Sequence, residues 1–113
     1  MGWSSIVELA KQLPGVEESL SYGQPSLKVK GKFFSRIRDE GNVLVVRTNI
    51  FGRQYLIDSD PARYFVTDHY RKYPYVLMDL REALAAEIRE RLEEGWREVA
   101  PAALLREFDA AGG

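Results

Sequence analysis

The stretch SLKVKGKFFSRIRDEGNVLVVRT, residues 26–48, interleaves apolar and cationic side chains, and its rhythm decides the fold. Leu27 and Val29 alternate with Lys28 and Lys30; past Gly31, Ile37 stands between Arg36 and Arg38, with Phe33 on the parity of Ile37. Successive side chains of an extended chain point to opposite faces of a sheet, so a period of two marks strands rather than helix. Two strands joined near Gly31 follow. A slip of one residue would turn Ile37 to solvent and Arg36 inward, so holding the apolar parity on one side of both strands requires an odd number of loop residues. The spacing therefore predicts a three- or five-residue turn. DEGN at residues 39–42 is a turn signal, and VLVVRT behind it is rich in the β-branched residues that suit a pleated surface. It gives the third strand of a meander, with Leu44 and Val46 facing the core and Val43 and Val45 on the side of Arg47.

Upstream, SIVELAKQL at residues 5–13 opens with Ser5 and Glu8 at the spacing of a capping box and sets Ile6, Leu9, Ala10 and Leu13 on one helical face before Pro14 and Gly15 end it. Downstream, FGRQYLIDS at residues 51–59 reads as a short helix with Phe51, Tyr55 and Leu56 inward. YFVT and YVLMDL read as two more strands, both apolar enough to be central. Asp79 and Glu82 have the spacing of a helix start, and Leu84, Ile88, Leu92, Trp96 and Val99 then trace one face as far as Pro101. On the opposite side Glu87 precedes Arg91, and Glu93 precedes Arg97, by four residues, each pair worth about 0.2–0.5 kcal/mol. AALLREF adds a last turn that packs Leu104, Leu105 and Phe108. The expected architecture is α+β: an antiparallel sheet of about five strands, meander first, with N-terminal and C-terminal helices on one face. Such a sheet leaves its second face wet, and function is sought there.

At 113 residues, 45% of them hydrophobic and 29% charged, the chain is long enough for a single core, so residues 1–113 form one domain. With no cysteine, disulfides, a thiol nucleophile and thiolate metal sites are excluded. No window approaches the roughly 18 apolar residues of a membrane span, and no basic-then-apolar leader opens the chain, so a cytoplasmic protein with no membrane association is expected. The net charge of −1 is unevenly spread. Residues 1–20 carry one base and three acids, residues 21–80 ten and six, residues 81–113 five and eight. The basic stripe of a nucleic-acid binder is thus confined to the centre, and the ends oppose tight nonspecific binding.

By parity, the wet face displays Lys28, Lys30, Lys32, Arg36, Arg38 and Arg47, a set able to track a phosphate backbone or hold an acidic partner. Solvent-facing lysines also serve simply to guard strands against aggregation. His69 is the only histidine and adjoins Asp68, but neighbours in an extended chain point apart, and no serine has a Gly-x-Ser-x-Gly context. A structural or ligand-contacting histidine is the expectation, with no metal and no cofactor. Tyr70, Tyr73 and Tyr75 offer rings for stacking, or Tyr73 for an aromatic corner with Pro74, and Arg71 and Lys72 at the tip between Tyr70 and Tyr73 suit an anion. Glu87, Glu90, Glu94 and Glu98 read as the solvated face of the last helix. Single glycines in turns make no phosphate-cradling loop.

Three stretches in this order, LPGVEESLSYGQPSLKVKGKFF, FVTDHYRKYP continued by YVLMDL, and LEEGWREVAP, resemble the MmcQ/YjbR-like family of small bacterial proteins along nearly the whole chain. The resemblance implies a CyaY-like α+β fold, a DNA-binding label and no assigned reaction. It draws attention to Tyr22, Gly23, Pro25 and Lys28, to His69, Tyr70, Tyr73 and Pro74, and to Trp96 and Pro101. The leading expectation is a module that binds DNA or another polyanion on the basic face and the Tyr70–Tyr73 corner, without catalysis. A regulatory domain for an acidic protein partner is the alternative, and an enzyme built on His69 ranks last.

Overall fold

A computed structural model describes residues 2–38 and 41–112. Six antiparallel strands, β1 (Val16–Ser21), β2 (Gln24–Val29), β3 (Lys32–Arg38), β4 (Val43–Arg47), β5 (Tyr64–Phe65) and β6 (Tyr75–Asp79), form one sheet in the order β1-β2-β3-β4-β6-β5. Four helices accompany it: α1 (Trp3–Ala10), α2 (Ile50–Ser59), α3 (Ala85–Val99) and α4 (Ala102–Ala110). The α+β class and the meander agree with the sequence pattern. The sheet gains a strand at its start, because VEESLS has too many polar residues to read as a strand yet pairs along its whole length with β2. β5 is a two-residue edge strand rather than a central one, and β6 lies inside the sheet.

The hairpin that set the parity solves its problem differently from expectation. Only Lys30 and Gly31 separate β2 from β3, both with positive φ (49° and 78°), which is the backbone of a tight two-residue hairpin turn. An even loop would flip the parity, and a β-bulge restores it: Ser35 faces Leu27 and Phe33 faces Lys28, leaving Phe34 as the extra residue. Ile37 and Phe34 are both buried against the helices, Arg36 is on the other face, and Phe33, on the parity of Ile37, is turned away from it. Tyr22 and Gly23 repeat the same left-handed pair between β1 and β2 (φ 51° and 78°). Of the DEGN turn, Asp39 and Glu40 lie outside the described residues.

The core lies between the sheet and α1 and α3. Ile88, Leu92, Trp96 and Val99 are buried along one face of α3, as their spacing predicts, and meet Leu27, Val29, Leu44, Val46, Val76 and Met78. Trp96 is completely buried; its Nε1 donates to the Pro14 carbonyl at 2.9 Å, and Phe108 of α4 packs edge-on at 5.1 Å. AALLREF is thus a full helix that closes over Trp96. Gly95 lets α3 ride directly on β4, since a β-carbon there would come within 2.9 Å of the Arg47 carbonyl oxygen.

Several local expectations are corrected. The capping box does not form: α1 begins at Trp3 with Gly2 at the cap, so Ser5 lies inside the helix, and Trp3 gains packing against the core. Asp79 stays in β6 opposite Val43 and accepts the Arg81 backbone N–H at 2.9 Å; Glu82 adopts φ 63°, and α3 starts only after Leu84, which is exposed. On α2, capped by the Asn49 side chain, Leu56 turns inward while Phe51 and Tyr55 are exposed. Glu93 pairs with Arg97 at 3.0 Å as predicted, but Glu87 pairs with Arg63 (2.6 Å) and Arg91 with Glu90 and Glu94. Arg91 is the exception because it is buried beneath the helix, over the Tyr64 ring.

Candidate binding cleft on the outer face of the sheet

The face turned away from the helices is not bare. Residues 66–74 fold back across it, and the buried Tyr70 ring joins Val43, Val45 and Leu77 in a second, smaller cluster. This explains why Val43 and Val45 can share the side of Arg47 and still be dry. Short-range bonds shape the segment: the Tyr70 N–H donates to Thr67 O (3.0 Å), Tyr73 to Tyr70 O (2.9 Å) and Tyr75 to Tyr73 O (2.8 Å). The Tyr73–Pro74 bond is trans, and Pro74 O accepts the Thr48 N–H.

A side chain from elsewhere in the chain holds the backbone of this segment. Arg53, on α2, donates to the carbonyl oxygens of Tyr73 (2.8 Å), Arg71 (2.9 Å), Tyr75 (3.2 Å) and Tyr70 (3.4 Å). A planar guanidinium with five donors can serve several carbonyls that a turn leaves without partners. Nothing in FGRQYLIDS singles out Arg53, because the carbonyls it serves are about twenty residues away.

Between this segment and the β1–β2 hairpin lies an open cleft of about 690 Å³. Ser21, Tyr22 and Gln24 form the hairpin wall, Phe33 and Arg36 of β3 the floor, and His69, Tyr70, Tyr73 and Tyr75 the other wall. The bulge at Phe34 is what makes the floor possible, since residues three apart on a regular strand point to opposite faces. Arg36 Nη2 donates to the Tyr70 hydroxyl, tying floor to wall. The rings pack edge to face: His69 on Tyr70 at 4.7 Å, Tyr70 on Tyr75 at 5.9 Å, Tyr75 on Phe33 at 5.7 Å. Burial raises the Tyr75 hydroxyl above its ordinary pKa, against the opposing pull of Arg47, so it stays neutral.

The residues expected to make a site divide. Lys28, Arg36, Arg38 and Arg47 do share the outer face, but Lys30 sits in the turn and Lys32, opposite Val29, falls on the helix side. The reason is the two-residue turn, which places the bulge beyond Lys32. Lys28 faces Glu17 across the hairpin, and the Arg47 Nε is buried without a hydrogen-bond partner. Arg71 and Lys72 are exposed at the loop tip outside the cleft, with Arg71 paired to Asp68 at 3.1 Å. His69, Tyr70 and Tyr73 all line it, Tyr70 chiefly as a buried support. Tyr75, expected among the stacking rings, lines the cleft as well, whereas Ser21, Gln24 and Phe33 were not legible as site residues: two are polar strand residues, and Phe33 reads as core by parity. His69 packs against the rings of Tyr70 and Tyr73. Among the described residues no group of three or more His, Asp or Glu side chains is placed to hold a metal, and no helix is long and apolar enough to cross a membrane.

Comparison with known proteins gives the same picture at the level of the whole chain. The uncharacterized proteins Rv2570 of Mycobacterium tuberculosis (strain ATCC 25618 / H37Rv) and Mb2600 of Mycobacterium bovis (strain ATCC BAA-935 / AF2122/97) are each 28% identical over 126 aligned residues, covering 98% of this chain and 98% of the relative. The crystal structure of Deinococcus radiodurans protein DR2400, a DUF419 domain, superposes with a TM-score of 0.75 at 16% identity, over 90% of this chain and 80% of that one. The family model YjbR matches residues 11–98, a span that includes the hairpins, the aromatic segment and the Gly95–Trp96 contact, and the chain therefore belongs to the YjbR family.

Proposed function

We propose that the protein is a non-catalytic binding module whose outer sheet face engages nucleic acid or a related polyanion. The observation that carries this reading is the convergence on one face of Lys28, Arg36 and Arg38 with an aromatic cleft that is lined, among the described residues, by no carboxylate. Cations fix the register of a phosphate backbone, and rings give bases a surface to lie against. The acidic residues of α3 lie on the helix-covered side of the sheet, where Glu90, Glu93 and Glu94 pair with Arg91 and Arg97. The packing of His69 against the rings of Tyr70 and Tyr73 supports binding over reaction.

The test is affinity for DNA measured at two salt concentrations. Binding is expected to weaken as salt rises, and to weaken further in Lys28→Glu and Arg38→Glu. Absent or salt-independent binding would rule the reading out. If the same reversals instead abolished capture of an acidic protein while DNA failed to bind, the face would belong to a protein partner.

A further inference from the structure

The composition of the cleft wall says more about its ligand than surface charge does. Tyr70, Tyr75 and Phe33 are held edge to face at interplanar angles of 71° and 67°, and His69 meets Tyr70 at 88°. Rings locked this way are fixed by one another's edges and hold still without a face-to-face stack. Two further rings stand at the mouth on separate elements: Tyr22 at the hairpin tip is fully exposed and Tyr73 is 53% exposed. The left-handed backbone at Tyr22 (φ 51°) costs strain that most residues avoid, yet a tyrosine occupies it and buries nothing. Arg36 on the floor has five donors, of which one is used on the Tyr70 hydroxyl. Among the described residues no aspartate or glutamate lines the space. An ammonium ligand would meet Arg36 with nothing to neutralise it, whereas a planar, acceptor-rich ring would find two exposed faces and a guanidinium fork. The volume, about 690 Å³, lies within the range of ligand clefts.

Resting on the reading of the outer face as a nucleic-acid surface, we propose that the cleft takes one unpaired base of a single strand, lying against Tyr73 and Tyr22 with Arg36 on its acceptor edge or the adjoining phosphate. A base inside a duplex has both faces covered by its neighbours and cannot enter without leaving the stack. A free mononucleotide presents the same ring and phosphate, but a strand adds further phosphates within reach of Lys28 and Lys72.

Fluorescence anisotropy with labelled oligodeoxythymidine, a labelled mixed-sequence duplex of equal length, and thymidine monophosphate as competitor decides the matter. The strand is expected to bind at least about tenfold more tightly than the duplex, and the mononucleotide to compete only weakly. Tyr73→Ala and Tyr22→Ala should each weaken strand binding by about 5- to 100-fold, with duplex binding and circular dichroism unchanged. Phe51→Ala, an exposed ring on α2 away from the cleft, should change nothing. Equal affinity for strand and duplex, with no loss in the tyrosine variants, would overturn the unpaired-base inference and leave polyanion binding standing. A mononucleotide as tight as the strand would overturn it in favour of a free-nucleotide site. Failure of all three probes to bind would remove the inference together with the reading beneath it.

Discussion

Arg53 shows how much of the site depends on a side chain that never touches the cleft. Its guanidinium serves four carbonyls of the segment that carries Tyr70 and Tyr73, and hydrogen bonds from a charged group are worth about 1.5–3 kcal/mol. Arg53→Ala should therefore open residues 70–75 locally, seen as faster amide exchange at Tyr73 and Tyr75, while Val45 and Leu77 beneath stay protected. Uniform exchange across the sheet would show instead that Arg53 supports the whole fold. Asp79 is a second case with a pH signature. Its side-chain bonds to Arg81, at 2.6 to 3.2 Å, lower its pKa to about 2, so the folded protein favours the carboxylate. That contribution is complete above the ordinary carboxylate pKa of about 4 and is lost as the pH falls toward 2. Thermal melting across this window should show a shallower acid decline for Asp79→Asn, and an unchanged decline would exclude the pair as its cause. Because Arg81 is exposed, the effect should be small.

Elements meet here at two close approaches that a residue count does not reveal. Gly95 allows α3 to touch the β4 backbone, and the nearest atoms to an added methyl are the Arg47 carbonyl oxygen and Val46 Cγ2, both at 2.9 Å. A backbone oxygen in a paired strand cannot step aside, so the clash should cost about 1–3 kcal/mol and outweigh the roughly 0.5–1 kcal/mol that helix propensity gives in favour of Ala, leaving Gly95→Ala destabilised. Urea denaturation should show the midpoint fall with an unchanged slope; a rise would mean that the helix shifts at no cost. The bulge at Phe34 is the other device. The sequence displays the alternation on each side of Gly31 but not how the two halves are phased, because a longer turn and a short turn plus bulge satisfy the same parity. Here the left-handed tolerance of Gly31, and a lysine willing to join it, settle the choice.

At the scale of the whole molecule, Lys28, Arg36 and Arg38 share the outer sheet face, Lys72 stands exposed at the loop tip, and acids of α3 pair with arginines of the same helix. For a polyanion on the proposed outer face, at most Lys28, Arg36, Arg38 and Lys72 are placed to meet it. For a single strand the logarithm of affinity should fall with the logarithm of salt at a slope no steeper than about −3. A much steeper slope would require contacts on another face. The sequence by itself determined the fold class, the meander, the buried face of α3 and the general position of the basic and aromatic residues, because these follow from local periodicity and composition. Only the tertiary structure decided that Tyr70 is a buried prop while Tyr73 and Tyr22 are open, that Phe33 leaves the core for the cleft, and that Arg53 holds the loop. Each of those depends on which distant segment covers a face or leaves a carbonyl without a partner, and a periodic pattern carries information about sides, not about what lies against them.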